Sequence, residues 1–285
     1  MFSQRRAGSK STERSGGELL PDAKTGAKVL LFFELTKFFT EKVPYKAIFI
    51  DIDDTLLDYV PCCREAFDYA LEAVCENPSA LSKQQADQLF ELFFDISGRL
   101  FSEAKRGLHT IAEVMELYPA EFIEKSGLTN GNSGEEAAAM TDVFKHAFRA
   151  AWGNTHALVP DSKETLEALR DKGYRLFAAS NSFGHLQRSR LQHAGILHLF
   201  EDTYISMDIG YDKPDVRFYE EALRRCGLQP HEVLMVGDSM TTDIIGAQKA
   251  GLDAVYFNRR NEPTDPQSSL AVIHSLPELL SLLEQ

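Results

Sequence analysis

Short apolar runs alternate with helical patterns along the chain from Tyr45 onward. Each run ends near Gly, Asp, Asn or Ser, and most are followed by apolar residues at helical spacing. The runs are Ala47 to Ile50, Tyr174 to Ala179, Thr203 to Met207, Val233 to Gly237 and Ala254 to Phe257. Strands that alternate with helices form parallel sheets covered on both faces. The pattern therefore predicts an α/β fold with a Rossmann-like parallel sheet.

More than 100 residues separate the first run from the second, and they show no strand pattern. Apolar residues recur there at helical spacing, as in Leu89, Phe90 and Phe93. The helical segments are 63–76, 82–105, 110–125 and 136–152. We expect a helical subdomain inserted after the first strand, with the loop from Thr129 to Glu135 between its two halves.

The helix before the second run has its own boundary signals. Asp161 and Ser162 can cap its start, Glu164 lies three residues after Asp161, and Gly173 can end it. Together with the flanking runs, this helix predicts a βαβ unit.

The first residues differ in composition from the rest of the chain. Residues 1–28 are rich in Ser, Gly, Lys and Arg, and residues 1–45 carry a net charge of +3 in a chain of net charge −13. We expect disorder in 1–28 and a short amphipathic helix in 29–42. The predicted organisation is an extension at 1–44, a sheet domain at 45–61 and 161–285, and a helical domain at 62–160.

Charge and hydropathy exclude several classes of protein. A net charge of −13 repels nucleic acid polymers and anionic membranes. The apolar stretch from Val29 to Phe39 contains Glu34 and Lys37 and is much shorter than the ~20 residues of a membrane span. It also lacks the features of a secretory signal. Four cysteines without a CxxC pair are typical of free thiols in a reducing compartment, so we expect a cytoplasmic protein.

Carboxylates follow the first apolar run. Residues two apart in extended backbone point to the same side, so Asp51 and Asp53 can face one ligand while Asp54 points away. Carboxylates crowded in this way call for a cation, although a solvated acidic loop after a strand is an equally common arrangement.

Three further segments place polar side chains after later runs. Ser180 and Asn181 end the second run, where a hydroxyl and an adjacent backbone N–H can hold a phosphoryl oxygen. Lys213 stands before a proline, although a lone lysine is usually a surface charge. Asp238 and Asp243 follow the fourth run, where helix capping by Asp238 is the ordinary alternative.

The order of these segments is similar to the motif series of the haloacid dehalogenase superfamily. The series reads DxDxT, then SN, then KP, then GDxxxxD, and it spans about residues 45 to 260. The inserted helices resemble the class-one cap of that superfamily. We therefore call residues 62–160 the cap and the sheet domain the core.

This resemblance assigns roles to individual residues. It implies that Asp51 is the nucleophile that forms an aspartyl phosphate and that Asp53 is the general acid and base. Mg²⁺ would be held by Asp51, the backbone carbonyl of Asp53 and Asp238, with Asp243 as a ligand or an orienting group. Phosphate would be bound by Ser180, Asn181 and Lys213, and Thr55 would orient the first loop.

The residue two after the nucleophile separates chemistries in this superfamily. Dehalogenases lack an acidic residue at the position of Asp53, so the resemblance implies a phosphatase or a phosphomutase. Mutases often carry Gly where Asp54 stands, which favours hydrolysis. A non-catalytic regulatory protein of the same fold is a further alternative, although no nucleophile or metal ligand is missing. A metal site built on His193 and His198 is disfavoured, since the histidines are scattered.

The first and third motifs resemble those of the noncanonical pyrimidine nucleotidase group. The expected substrate is a small phosphate monoester, with 5'-nucleotides as the first class and sugar phosphates as the second. Arg99, Lys105 and Arg106 in the cap could face the site, but solvated helix charges are the favoured interpretation. The expected oligomeric state is a monomer or a homodimer.

Overall fold

The computed structural model describes residues 45–75, 81–129, 134–264 and 269–284. The predictions for residues 1–28 and 29–42 lie outside this part, as do residues 130–133 of the loop expected at 129–135. Residues from Pro44 to Gln285 belong to one unit.

One parallel sheet organises the core, which confirms the predicted α/β fold. Its strands are β1 (Ala47–Ile50), β2 (Arg175–Ser180), β3 (Asp202–Ile205), β4 (Val233–Gly237), β5 (Asp253–Phe257) and β6 (Ala271–Ile273). Their order across the sheet is β3-β2-β1-β4-β5-β6. The strand β6 was not predicted, because a run of three residues carries too weak a pattern.

Helices cover the sheet and fill the insertion between β1 and β2. The cap helices are α1 (Tyr59–Val74), α2 (Lys83–Lys105), α3 (Ile111–Ser126) and α4 (Gly134–Trp152). The core helices are α5 (Ser162–Asp171), α6 (Gly184–His193), α7 (Ser206–Ile209), α8 (Val216–Cys226), α9 (Gly246–Lys249) and α10 (Pro277–Leu283). A π-helix, Met240–Ile245, follows β4.

Three expected boundaries differ in the structure. The helix α1 begins at Tyr59, before the expected 63, because Pro61 is tolerated in a first helical turn. The third apolar run leaves the sheet at Ile205, and Ser206 begins α7. The expected cap by Asp161 is wrong, since its φ of 63° is left-handed and its side chain makes no capping hydrogen bond.

The register of the sheet brings the motif segments together. Ile50 of β1 pairs with Ala178 of β2 on one side and with Val236 of β4 on the other. Because the strands are parallel, their carboxyl ends lie at one edge of the sheet. The segments that follow β1, β2 and β4 therefore start side by side.

The apolar residues form separate clusters in the core and in the cap. Alternate residues of β1 point to opposite faces of the sheet, with Ile48 on one face and Phe49 on the other. The cap has a cluster of its own around Phe67, whose ring lies 5.1–6.0 Å from those of four phenylalanines. The cap helices therefore have an aromatic core of their own.

Two further sequence expectations concern the thiols and the membrane. All four cysteines are free, as predicted. Within the described residues, no helix is both long and apolar enough to span a membrane. The cytoplasmic location stays a prediction.

The aromatic cluster of the cap allows a test of its contribution to stability. Phe67 is fully buried, so Phe67→Ala should lower the free energy of unfolding by about 3–5 kcal/mol. Tyr69 on the same helix is 58% exposed, and Tyr69→Ala should change it by less than about 0.5 kcal/mol. Urea unfolding followed by the fluorescence of Trp152, the single tryptophan, reports directly on this cluster. Equal effects of the two substitutions would contradict this assignment.

Candidate active site

A cavity of about 420 Å³ opens between the carboxyl edge of the sheet and the cap helices. The predicted site residues that line it are Asp51, Asp53, Ser180, Asn181, Lys213, Asp238 and Asp243. Thr55 does not line it. It is buried below the first loop, with its hydroxyl 3.4 Å from the Asp51 carboxylate. The structure thus brings all the charged motif residues to one cavity.

Lys213 is the buried cation of the site. Its Nζ donates to Asp51 Oδ1 at 2.7 Å, to Asp243 Oδ1 at 2.6 Å and to the carbonyl oxygen of Ala179 at 2.8 Å. These contacts use all the N–H groups of the ammonium. Lys213 is therefore a fixed bridge between two carboxylates, and the surface-charge alternative is wrong.

Asn181 fixes the backbone of Lys213. Its side-chain oxygen accepts from the Lys213 N–H at 2.8 Å, and its side-chain nitrogen donates to the Lys213 carbonyl at 2.7 Å. The amide of Asn181 is thus occupied with positioning Lys213. That Asn181 binds phosphate stays a prediction, and the group that would do so is its backbone N–H.

Three carboxylates form a cluster at the floor of the cavity. Asp51, Asp238 and Asp243 each offer one oxygen atom, and these atoms lie within 4.8 Å of one another. Among the described residues, no other group of His, Cys, Asp and Glu has a metal-binding arrangement, which leaves the histidine alternative without support. Carboxylate oxygens are the ligands that Mg²⁺ prefers, so the donor set fits this ion.

The turn after β4 is shaped to hold Asp243. A Cβ atom on Gly237 would lie 2.3 Å from Asp243 Oδ2, so only glycine allows this close approach. The backbone N–H of Ser239 donates to the same oxygen at 3.0 Å. The hydroxyl of Ser239 accepts from the N–H of Thr242 and caps the π-helix. Capping by Asp238, the ordinary alternative, does not occur.

The electrostatics of the cluster follow from burial and from like charges. Burial raises the pKa of Asp51 to about 7, Lys213 opposes this rise, and Asp243 adds to it. Burial, then Asp51 and Asp243, raise the pKa of Asp238 well above its usual range. Burial disfavours the charge of Lys213, but Asp243 and Asp51 outweigh it and raise the lysine's pKa. One ammonium is too little positive charge for the cluster, which provides a place for a cation.

Asp53 lines the cavity beside this cluster and has different partners. Its Oδ1 accepts from Arg190 Nη1 at 2.6 Å, and its Oδ2 accepts from Gln187 Nε2 at 2.6 Å. Sequence reasoning missed both partners. The carboxylate of Asp54 borders the cavity and is held by Arg259 and Arg260.

The cap contributes aromatic rings and one unpaired cation to the cavity. The rings belong to Tyr59, Phe93, Phe94, Phe101, Tyr118, Phe148 and Trp152. Lys105 lines the cavity and forms no ion pair with any described residue, and its side chain is exposed, so it faces the site while remaining solvated. Arg99 instead binds Glu103 and Glu121, and Arg106 is exposed outside the lining.

Comparison with known proteins identifies relatives of the chain. The family model of the haloacid dehalogenase-like hydrolases matches residues 45–251. The chain is 31% identical to the glyceraldehyde 3-phosphate phosphatase of Methanothermobacter thermautotrophicus over 75% of this chain and 85% of the relative. It is 26% identical to the pyrimidine 5'-nucleotidase PynA of Streptococcus pneumoniae over 85% of this chain and 96% of the relative.

A solved structure shares the fold over most of this chain. The HAD-hydrolase YfnB of Bacillus subtilis, bound to magnesium, superposes with a TM-score of 0.68 at 25% identity. The match covers 85% of this chain and 100% of that protein. Cap and core together therefore match one known architecture.

The charge excess of the cluster predicts how stability changes with pH. An unfolded Asp has a pKa of ~3.9, and the folded pKa of Asp238 is raised. Without metal, the ionised carboxylate thus disfavours the folded state, and stability is lost as the pH rises through the raised pKa. In chelator at about pH 8, Asp238→Asn should be more stable than the wild type by about 1 kcal/mol. The difference should vanish below about pH 4.

Urea unfolding with and without Mg²⁺ measures this effect. Saturating Mg²⁺ should make the wild type more stable than Asp238→Asn. The ion stabilises a folded protein that binds it, and the variant has lost one of the proposed ligands. Asp171→Asn, at an exposed carboxylate on α5, is the matched control and should leave the pH profile unchanged. An Asp238→Asn profile identical to the wild type in chelator would show that the carboxylates do not repel one another.

Proposed function

The chain belongs to the haloacid dehalogenase-like hydrolase family and is an enzyme of that family, and we propose that it hydrolyses phosphate monoesters through Asp51. The observation that carries this proposal is the bridge from Lys213 Nζ to Asp51 Oδ1 at the floor of the cavity. The bridge occupies one oxygen of the carboxylate. Among the described residues, only the weak contact from Thr55 reaches the other oxygen, which is therefore available to attack phosphorus.

The reaction divides between two carboxylates. Asp51 attacks phosphorus, a bond forms from its oxygen to phosphorus, and the ester P–O bond breaks. The departing alkoxide takes a proton from Asp53 and leaves as the alcohol. Asp53 then takes a proton from water, which attacks phosphorus and releases phosphate. Asp51 returns as the free carboxylate.

The residues of the floor fit a resident magnesium ion. Asp51, Asp238, Asp243 and the backbone carbonyl of Asp53 would hold it. When bound, Mg²⁺ offsets the negative charge that otherwise keeps a phosphate away from these carboxylates. The hydroxyl of Ser180 binds a phosphoryl oxygen, and the positive charge of Lys213, whose N–H groups are already used, opposes the charge that develops there. A regulatory protein without turnover is disfavoured, because every one of these groups is in place.

The lining of the cavity favours one class of leaving group. Its aromatic wall favours a planar group, since bases stack on aromatic side chains. We therefore propose 5'-nucleotides as the first class of substrate and sugar phosphates as the second. The named activities of the two relatives fall in these classes. A cavity of about 420 Å³ is too small for a folded phosphoprotein, and the acidic chain disfavours nucleic acid polymers.

The nucleophile is tested by a change that keeps its shape. Asp51→Asn should lower turnover by more than about 1,000-fold while the protein stays folded, because an amide is a poor nucleophile. Asp54→Asn alters the carboxylate held by Arg260 and should retain most of the activity. A panel of phosphorylated metabolites with Mg²⁺ gives the readout. A comparable loss in both variants would argue against Asp51 as the attacking group.

The role of the cap in selectivity is tested at Lys105. Lys105→Ala should lower kcat/KM for 5'-nucleotides by about 10-fold, because a lysine that lines the cavity can contact polar groups of the nucleoside. Turnover of a small aryl phosphate should change by less than about 2-fold. Arg106→Ala removes the adjacent exposed charge and serves as the control. If both substitutions left the substrate profile unchanged, Lys105 would not determine selectivity.

A further inference from the structure

Two polar residues of α6 are fully buried without belonging to any motif of the sequence. Gln187 and Arg190 lie three residues apart on one face of the helix, and each is 0% exposed. Such residues are rarely buried unless each polar group has a partner. Their partners include Asp53 and Ser180, which the proposed reaction uses, while Arg190 Nη2 has no hydrogen-bond partner among the described residues.

Arg190 links the first loop to the cap. Its Nη1 donates to Asp53 Oδ1 at 2.6 Å, and its Nε donates to Thr155 Oγ1 at 3.2 Å. Its guanidinium lies 3.9 Å from the ring centroid of Trp152, the last residue of α4. The position of Asp53 is thus tied to the place where the chain returns from the cap.

Gln187 links Asp53 to Ser180. Its Nε2 donates to Asp53 Oδ2 at 2.6 Å and to Ser180 Oγ at 3.0 Å. Its Oε1 accepts from Arg190 Nη1 at 2.9 Å. A guanidinium only donates, so the amide oxygen must face Arg190 and the NH₂ group must face the other two side chains. Arg190 therefore sets the orientation of the Gln187 amide.

These bonds fix two reacting groups. Both oxygens of Asp53 are held, so the plane of its carboxylate is set beside the cavity. Ser180 Oγ accepts from Gln187, which leaves its single O–H proton to donate to another acceptor. A phosphoryl oxygen in the cavity is such an acceptor.

We propose that Gln187 and Arg190 are positioning residues for the acid and base Asp53 and for the phosphate-binding hydroxyl of Ser180. The proposal rests on the proposed function. Arg190 acts on Asp53 directly and through Gln187, and Gln187 acts on both groups. Neither residue needs to touch the substrate, because an error of about 1 Å in a reacting group can cost about 100-fold in rate.

Gln187→Met and Arg190→Lys test this role. Methionine keeps the length of Gln187 without its N–H donors. Lysine keeps the charge of Arg190 without the planar guanidinium and its several N–H donors. An alkyl monoester needs a proton donor for its leaving group far more than a nitrophenyl ester does. Each variant should therefore lower kcat for the alkyl ester by about 10–100-fold. The fold-loss for the aryl ester should be smaller than this by a factor of at least about 5.

A double substitution separates positioning from packing. In an Asp53→Asn background, Arg190→Lys should cost less than about 3-fold in kcat, since its target is already lost. Gln192→Met, at an exposed glutamine of the same helix, is the matched control and should retain wild-type kinetics. Thermal unfolding shows which variants are folded. If Arg190→Lys does not fold, the kinetics of Gln187→Met alone test the proposal.

The two proposals fail in different ways. Equal losses for alkyl and aryl esters, or additive losses in the Asp53→Asn background, would show that Gln187 and Arg190 only support packing. Such a result leaves the function of Asp51 intact. A wild-type protein that hydrolyses no phosphate monoester would overturn the proposed function itself, and the positioning proposal with it.

Discussion

The site depends on one buried ammonium placed between carboxylates. Lys213 Nζ contacts Asp51 and Asp243 within 2.7 Å in a region where both side chains are nearly inaccessible to water. Removing one member of such a buried pair costs about 3–5 kcal/mol, because the remaining charge has no partner. Two neighbouring residues support this bridge. The Asn181 amide holds the backbone of Lys213, and Gly237 leaves room for the side chain of Asp243.

The charges of the site are divided between distinct partners. Lys213 pairs with Asp51 and Asp243, whereas Arg190 pairs with Asp53. Asp238 forms no ion pair with a described residue, and burial together with the charges of Asp51 and Asp243 raises its pKa. This division leaves the negative charge concentrated at one place on the cavity floor. A divalent cation there would complete the neutralisation without disturbing Asp53.

Local patterns predicted much of this arrangement, and long-range contacts account for the remainder. The strands of the core, the cap helices and the motif carboxylates are visible because each depends on neighbouring residues in the chain. Gln187 and Arg190 are ordinary helix residues whose partner Asp53 lies 134 and 137 residues away. The orientation of Lys105 depends on how the end of α2 meets the core, and periodicity does not reveal it.

The covalent intermediate is the central claim, and mass spectrometry tests it most directly. The Asp53→Asn variant, mixed with an aryl phosphate and Mg²⁺ and quenched rapidly in acid, is digested and its peptides are weighed. The account predicts that one phosphoryl group appears on the peptide that contains Asp51, because loss of the base slows hydrolysis of the acyl phosphate. Phosphate on another residue, or an unmodified Asp51 peptide in a variant that releases a burst of the aryl alcohol, would contradict it.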